Sequence, residues 1–410
     1  MADPVIRPRN AVLLVALQSA ESTAATPNPA TDAVPFEDGS FTFNSPYRTE
    51  DSSEVNGSFV GSAPLVLGQA ATVSFRSRLK GAGAGVTYTS SVKPPLHAPL
   101  QACGMRGQFT ASVSAAALTA GTPDSATLGT GFAATAQQYR GMPLLLTAGP
   151  GAGRVPLIVD YSSAKVASLS DIYGAALTTS TIAGLPANWS YAGTSPADNT
   201  ARLTDQPCAT IYYYEDGRLY RWMDCRGVVD FDGNSAQPGF GAFSFTGVFV
   251  DVADAAVPNA VIAGHSAPLL LQGSGVAPAM QANRRGLPIS RWSLSSGGAT
   301  ESSEDPNTSF GFGAAQIGAR TPIFEADPLQ TLIATRNALA EIAAYSVYPI
   351  SLQFGATAGN RVSLLLPQAQ PIEAAPGLRG TLRSETLRYQ ALNPGDDAYA
   401  RDGERILTFS

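Results

Sequence analysis

Hydrophobic and polar residues alternate over short stretches along most of the chain, and turn-forming residues separate these stretches. A period of two sends one side chain inward and the next outward, the pattern of half-buried β-strands. Residues 71–79 show it cleanly, with Ala71, Val73, Phe75, Ser77 and Leu79 on one face. Residues 209–214 and 218–224 are rich in aromatic and β-branched side chains, which suit a pleated surface. Between them, Glu215, Asp216 and Gly217 offer a turn whose glycine is free to take a positive φ, so the two stretches predict a hairpin. The chain then runs through 227–231 into a long alternating stretch, 241–251, where Phe243, Phe245 and Phe249 share one parity. Residues 351–354, 361–366 and 405–409 predict further strands, and no fixed-period repeat stands out.

Two regions depart from this pattern. Asp327 suits an N-cap, Pro328 the first helical position and Gln330 the capping box, which predicts a helix over 327–345. Leu329, Leu332, Ile333, Leu339 and Ile342 would then share one face, laid on a sheet. Residues 122–186 read as a small inserted module between two parts of a β core, 1–121 and 187–410. The module offers strands at 143–147 and 155–160, a glycine-rich turn at 148–153 and a short helix at 164–173. Residues 297–306 read as a polar, acidic loop.

Composition changes the picture in one respect. Charged residues make up 14% of the 410, against roughly 25% in an ordinary soluble domain. A monomer needs charge over its surface to stay dispersed, so a chain this poor in charge is expected to hide surface against other copies of itself. Net charge is −6, and Lys80, Lys93 and Lys165 are the only lysines. Arg284 and Arg285 form the only adjacent basic pair and read as a solvated turn. Clustered cations, which phosphate binding requires, are missing from the sequence. Cys103, Cys208 and Cys225 are too few and too scattered for a disulfide framework, so free buried thiols are expected, although Cys208 and Cys225 flank the hairpin. Arg7 and Arg9 precede the apolar run 11–17, which imitates a secretory signal, but a first β-strand serves equally well. No stretch reaches the roughly 20 apolar residues of a membrane span, so the expectation is a soluble protein made inside the cell.

Candidate chemistry is sparse. His97 and His265 are the only histidines; neither has metal-ligand spacing to a cysteine, and His97 reads as a loop residue after Pro94 and Pro95. Gly264-His265-Ser266 lacks a nucleophile elbow. The glycine-rich stretches 81–85 and 149–154 lack the Lys-Ser/Thr of a phosphate cradle. Asp230, Asp232 and Asn234 suggest a calcium loop but lack its distal glutamate, which leaves a solvated turn. Asp251 with Asp254, and Glu301 with Glu304 and Asp305, read as surface clusters. No enzyme is expected, nor any catalytic, cofactor-binding or metal-binding residue, and no cofactor.

Three stretches carry a resemblance. Tyr47 to Phe59 is a polar loop, Tyr-Arg-Thr-Glu-Asp-Ser-Ser-Glu-Val-Asn-Gly-Ser-Phe, that runs into the strand region 67–75, with Pro99-Leu-Gln-Ala-Cys-Gly104 beyond. The hairpin 210–227 ends in Asp224-Cys225-Arg226-Gly227 and leads to the strand 243–249. The stretch after Asp327 is followed by Ser351-Leu-Gln-Phe-Gly-Ala-Thr-Ala-Gly-Asn-Arg-Val362. Together these resemble the bacteriophage tail tube (major tail) protein family over most of the chain outside 122–186 and 265–320. The resemblance implies a mainly β subunit, a β-sandwich or barrel with one flanking helix, six of which join their sheets into a ring. Rings would stack into a tube around a channel for DNA. Implied partners are the chain itself, other tail proteins such as the tape measure and terminator proteins, and double-stranded DNA passing through without specific binding, with no membrane partner. The implied location is the virion tail, after synthesis in the bacterial cytoplasm. Residues 47–68 are expected to form the arm that contacts a neighbouring ring or subunit, through Tyr47, Arg48, Glu50, Asp51, Glu54, Asn56 and Phe59. A different class of reading is a secreted or cell-surface β-sandwich binding module, an adhesin or carbohydrate binder. It would call for a cleaved N-terminus and a monomer.

Overall fold

The computed structural model describes residues 5–55, 57–262, 269–273, 278–395 and 397–410, and it is mainly β, built from large antiparallel sheets. In chain order the first part contains β1 (Ala11–Leu17), β2 (Ala33–Val34), β3 (Thr42–Phe43), β4 (Tyr47–Glu50), β5 (Leu65–Gly68), β6 (Ala71–Arg78), α1 (His97–Ala102) and β7 (Met105–Thr110). A run of short strands follows: β8 (Val113–Ala117), β9 (Ala120–Gly121), β10 (Ser125–Thr127), β11 (Leu145–Ala148), β12 (Ile158–Tyr161), β13 (Val166–Leu169) and β14 (Ile182–Leu185). Then come β15 (Asn188–Gly193), α2 (Asn199–Asp205), β16 (Ala209–Glu215), β17 (Arg218–Asn234) and β18 (Gly239–Asp254). The last part contains β19 (Met280–Ala282), β20 (Arg285–Gly286), β21 (Arg291–Ser295), β22 (Thr300–Glu304), β23 (Phe312–Ile317), β24 (Ile323–Ala326), α3 (Ala338–Ala343), β25 (Tyr348–Phe354), β26 (Val362–Arg379), β27 (Leu382–Ala391) and β28 (Ile406–Phe409).

The main body is a structural duplication. Strands of the first unit lie side by side in the order β2–β1–β16–β17–β18–β6–β3. Those of the second lie in the order β20–β19–β25–β26–β27–β24–β21. All of these pairings are antiparallel, and corresponding strands follow one another identically along the chain. A separate hairpin sits between corresponding strands in each unit, β4–β5 in the first and β22–β23 in the second. Even one irregularity repeats. Ala209 faces Cys225 and Ile211 faces Trp222 across one bulge; Tyr348 faces Ala369 and Ile350 faces Leu366 across the other. Bulges are built-in features of a sheet rather than accidents, so the shared one fixes the correspondence between units.

The two units share one core, in which Phe75, Trp222, Phe231, Phe243 and Phe245 of the first unit meet Trp292, Leu294, Phe324, Leu387 and Tyr389 of the second. The alternation expected at 71–79 is present, with Ala71, Val73, Phe75, Ser77 and Leu79 all buried. The expected hairpin is β16–β17, turned by Asp216 at φ 43° and Gly217 at φ 106°. Residues 11–17 form β1, whose centre is buried between β16 and β2. The strands expected near the end are β25, β26 and β28, although β26 runs on to Arg379.

Several expectations are corrected. The helix expected over 327–345 is limited to α3, capped by the Asn337 side chain rather than by Asp327. The Asp327 carboxylate instead accepts hydrogen bonds from the backbone N–H groups of Ser290 and Arg291, both at 2.8 Å. Residues 328–330 are drawn into strand-like pairing with 383–385. Of the five residues meant for the sheet, Leu332, Ile333 and Leu339 are exposed, while Leu329 and Ile342 are half-buried. Residues 164–173 carry strand β13 instead of a helix, and 297–306 carry strand β22 instead of a loop. His97 opens α1 and is buried, not a loop residue. Asp230 and Asp232 lie within β17, not in a turn.

The segment read as an inserted module, 122–186, lies within a run of short strands that begins at Val113. Strands β8 to β14 form two small sheets of their own, β9–β10–β13–β12 and β8–β14–β11. Their separate core includes Leu118, Phe132, Tyr139, Tyr161 and Leu185. The module docks on the second unit, where Leu157 and Val159 pack on Leu365, and Gln353 Nε2 donates to the Val155 carbonyl at 2.8 Å. Arg284, in the β19–β20 turn, donates to the Leu169 carbonyl and to Ser168 Oγ at 2.9 and 2.8 Å.

Candidate interaction surfaces

The predicted arm is a projecting hairpin. Tyr47, Arg48, Thr49 and Glu50 form β4 and pair with Gly68, Leu67, Val66 and Leu65 of β5. All four β4 residues are exposed, as are Asp51, Glu54 and Phe59; Asn56 lies outside the described residues. The base is fastened to the second unit, because the Tyr47 ring meets the Phe310 ring edge-on at 5.5 Å. Gly68 allows this approach, since a Cβ there would clash with the Phe310 carbonyl oxygen. Beyond the base the chain projects, and its apolar side chains face solvent: Val55 is 98% exposed and Val60 75%. The polar stretch was legible in the sequence. That its apolar residues, Leu65 and Val66 included, would find no cover was not.

A second bare region belongs to the second unit. Ile372, Leu378 and Leu382 lie exposed on the β26–β27 hairpin, and Tyr345 and Val347 join Leu332, Ile333 and Leu339 around α3. Beyond Ala369, β26 pairs only with β27 among the described residues, so its other edge is open. In the first unit, β3 pairs only with β6 among the described residues, and Phe43 is 40% exposed. Open strand edges and clustered apolar side chains are features a lone soluble protein normally blunts. Sequence reasoning missed this region because it buried the same leucines under an imagined helix.

Groups suited to acid–base or nucleophilic chemistry are locked into the structure. His97 Nδ1 lies 2.7 Å from the Tyr191 hydroxyl and Nε2 lies 2.7 Å from the Gln101 amide. Burial, reinforced by Lys93, pushes its pKa down to about 3, so the ring is neutral near pH 7. All three cysteines are free and buried; burial pushes the Cys208 thiol up to about 12, and those of Cys103 and Cys225 higher. The Gly264-His265-Ser266 stretch lies outside the described residues. A cleft of about 690 Å³ lies between α2, β23 and the C-terminal segment, but of its carboxylates, Asp402 and Glu404 are held by Arg320 and Asp198 caps α2 by accepting from the Ala201 N–H. Asp230 accepts from the Ser296 N–H, and Asp232 pairs with Arg76. No group of three or more metal-ligating side chains occurs among the described residues.

Most arginines are likewise committed to carboxylates, in pairs such as Arg78–Glu37, Arg106–Asp205, Arg221–Asp251 and Arg336–Glu385. Among the described residues six arginines stand outside such pairs: Arg361 and Arg405 are buried and donate to the Ala356 and Val229 carbonyls, while Arg48, Arg218, Arg285 and Arg383 are scattered over both units. The surface therefore offers no concentrated cationic track for a phosphate backbone. Compared with known proteins, the chain matches no family model and no curated sequence.

Proposed function

We propose that this chain is a self-assembling structural subunit of a phage tail tube, forming rings that stack around a channel for DNA. The observation that carries the reading is the β4–β5 hairpin, which holds Val55, Phe59 and Val60 out in solvent with no cover from its own chain. Apolar groups held this way favour burial by about 25 cal/mol for each Å² covered, and open edges elsewhere on the same chain supply places for them to land. The ion-paired arginines suit a conduit. DNA carries one charge per about 1.7 Å of its axis, and a lining without free cations lets it slide without adhering. Other tail proteins would meet the ends of the assembly, and passage of DNA would need no catalytic residue.

Negative-stain microscopy and light scattering of the purified chain test the reading. Rings and tubes are expected. A lone molecule at high concentration, with neither species present, overturns it. Removal of residues 50–58 is expected to leave a folded chain that no longer makes tubes of normal length; tubes of normal length from that variant would show that the arm is not a contact to a neighbouring ring or subunit.

A further inference from the structure

We infer that copies of this chain join head to tail by repeating, between chains, the joint that already holds its two units together; this rests on the ring-forming reading above. Inside the chain the joint is explicit. β17 of the first unit takes β21 of the second as its neighbour, with Phe231, Asp232, Gly233 and Asn234 facing Leu294, Ser293, Trp292 and Arg291. The β22–β23 hairpin then lies over β17 and β18: Arg226 Nη1 donates to the Ala315 carbonyl at 2.8 Å, and Thr246 Oγ1 of β18 meets Thr300 Oγ1 at 2.7 Å.

The duplication states which residues stand in the same places at the free ends. The shared bulge matches Cys225 to Ala369. Following the ladders past a further irregularity between Pro371 and Glu373 matches Phe231, Asp232 and Gly233 to Pro376, Gly377 and Leu378. On the other side, Phe43 faces Val73, which faces Phe245, while Leu294 faces Phe324, which faces Tyr389. Leu294 therefore corresponds to Phe43, Ser293 to Thr42 and Trp292 to Phe41. Chemistry agrees with the count, since the inward positions are apolar in both units and the middle position is a small hydroxyl residue in both.

The inter-chain joint accordingly sets Phe43, Thr42 and Phe41 of one copy across from Pro376, Gly377 and Leu378 of the next. The β4–β5 hairpin stands where β22–β23 stands in the internal joint, so it covers β26–β27, where Ile372 and Leu382 lie bare. A second copy is the occupant because one chain carries both halves of the joint and already shows them matched. Contact between two different patches generates a ring when the rotation closes. Each chain brings two units, so a ring with six unit positions closes with three copies.

Engineered disulfides test the pairing in the full-length chain, whose native cysteines are all buried. A variant carrying both Thr42→Cys and Gly377→Cys, assembled and then oxidised, is expected to give a ladder of covalent oligomers that stops at the closed ring, while each single variant stays monomeric on a non-reducing gel. The pair Ser40→Cys with Arg379→Cys, two residues along the same register, gives the same readout if Gly377→Cys does not fold. Rings seen by microscopy with only monomer on the gel for both pairs would overturn this joint and leave the tube reading standing. Absence of rings from the unmodified chain would instead overturn the tube reading itself.

Discussion

The filled joint between the two units and its bare counterparts at the ends of the chain differ in cover rather than in topology. Leu294 is 0% exposed because β17 lies alongside it, whereas Phe43, in the same place of the other unit, is 40% exposed. Arg226 in the filled joint has a fully buried side chain, holding Glu21, the Gln206 carbonyl and the Ala315 carbonyl. Gln370, at the corresponding point of β26, meets no such cover. One arrangement of strands is thus stable with a neighbour and incomplete without one. The incomplete version carries the apolar exposure.

The largest effect is expected from breaking the filled joint. Phe231 is fully buried, so Phe231→Ala removes its packing and leaves a cavity, for a loss of about 3–5 kcal/mol. Pro376→Ala, at the matching place in the bare joint, is expected to change the stability of the lone chain by no more than about 0.5 kcal/mol. Denaturant unfolding of both variants under non-assembling conditions checks the contrast, and equal losses would dissolve the distinction between the joints. Arg226→Ala ranks next, at about 3 kcal/mol, the low end for breaking a buried ion pair, because Glu21 keeps some contact with water. It also leaves two buried carbonyls without their donor. A double-mutant cycle with Glu21→Gln would separate the ion pair from those carbonyl bonds.

The two helices sharpen the comparison through pH. α1 is buried against the first unit and carries His97, while α3 holds the corresponding place after β24 with Leu339 in solvent. Burial lowers the His97 pKa from 6.5 to about 3, so the folded chain holds the neutral ring while the unfolded chain takes a proton below about pH 6.5. Stability contributed in this way is complete above pH 6.5, falls as pH drops, and levels off below about pH 3, with a slope of up to about 1.4 kcal/mol per pH unit. His97→Gln is expected to lower stability at pH 7 but to flatten the profile between pH 6.5 and 4. An unchanged slope in that variant would move the effect to the carboxylates.

The class of fold was legible in the sequence because a period of two survives wherever one strand face is buried; Val73, Phe75, Phe243 and Phe245 announce themselves. The helix at 327–345 misled because the capping residues are genuine signals put to another use. Asp327 and Pro328 serve a strand connection, and the leucines after them were left to solvent. The duplication was invisible for a different reason. Corresponding positions preserve apolar volume and direction rather than identity, as Phe243 does with Leu387 and Phe41 with Trp292. The first unit is also split by everything from β7 to α2, where the second has only the α3 connection. The stretch 47–59 drew notice because it is polar and carries Asn-Gly. The bare edge of β26 was not, because an open edge is a property of pairing and no residue type marks it.

The smallest effect on the lone chain is expected at the tip of the β26–β27 hairpin, and there the comparison is most exposed to test. Leu378 is 69% exposed, so replacing it with aspartate removes little buried surface, and its unfolding free energy should stay within about 0.5 kcal/mol of the parent. In the joint proposed between copies the same position lies across from Phe41, whose ring already stacks on Tyr213 at 3.9 Å. A carboxylate brought there must lose water against an aromatic wall, and Arg383, its partner directly across the β26–β27 ladder, offsets only part of that loss. The same substitution that leaves the monomer untouched should therefore raise the concentration needed for assembly at least about tenfold, the equivalent of about 1.4 kcal/mol per contact. Light scattering across a dilution series reads that concentration directly. Leu203→Asp, at an exposed position of α2 that belongs to neither strand of the proposed joint, is the matched control, and an equal shift in both variants would trace the effect to added negative charge rather than to the joint.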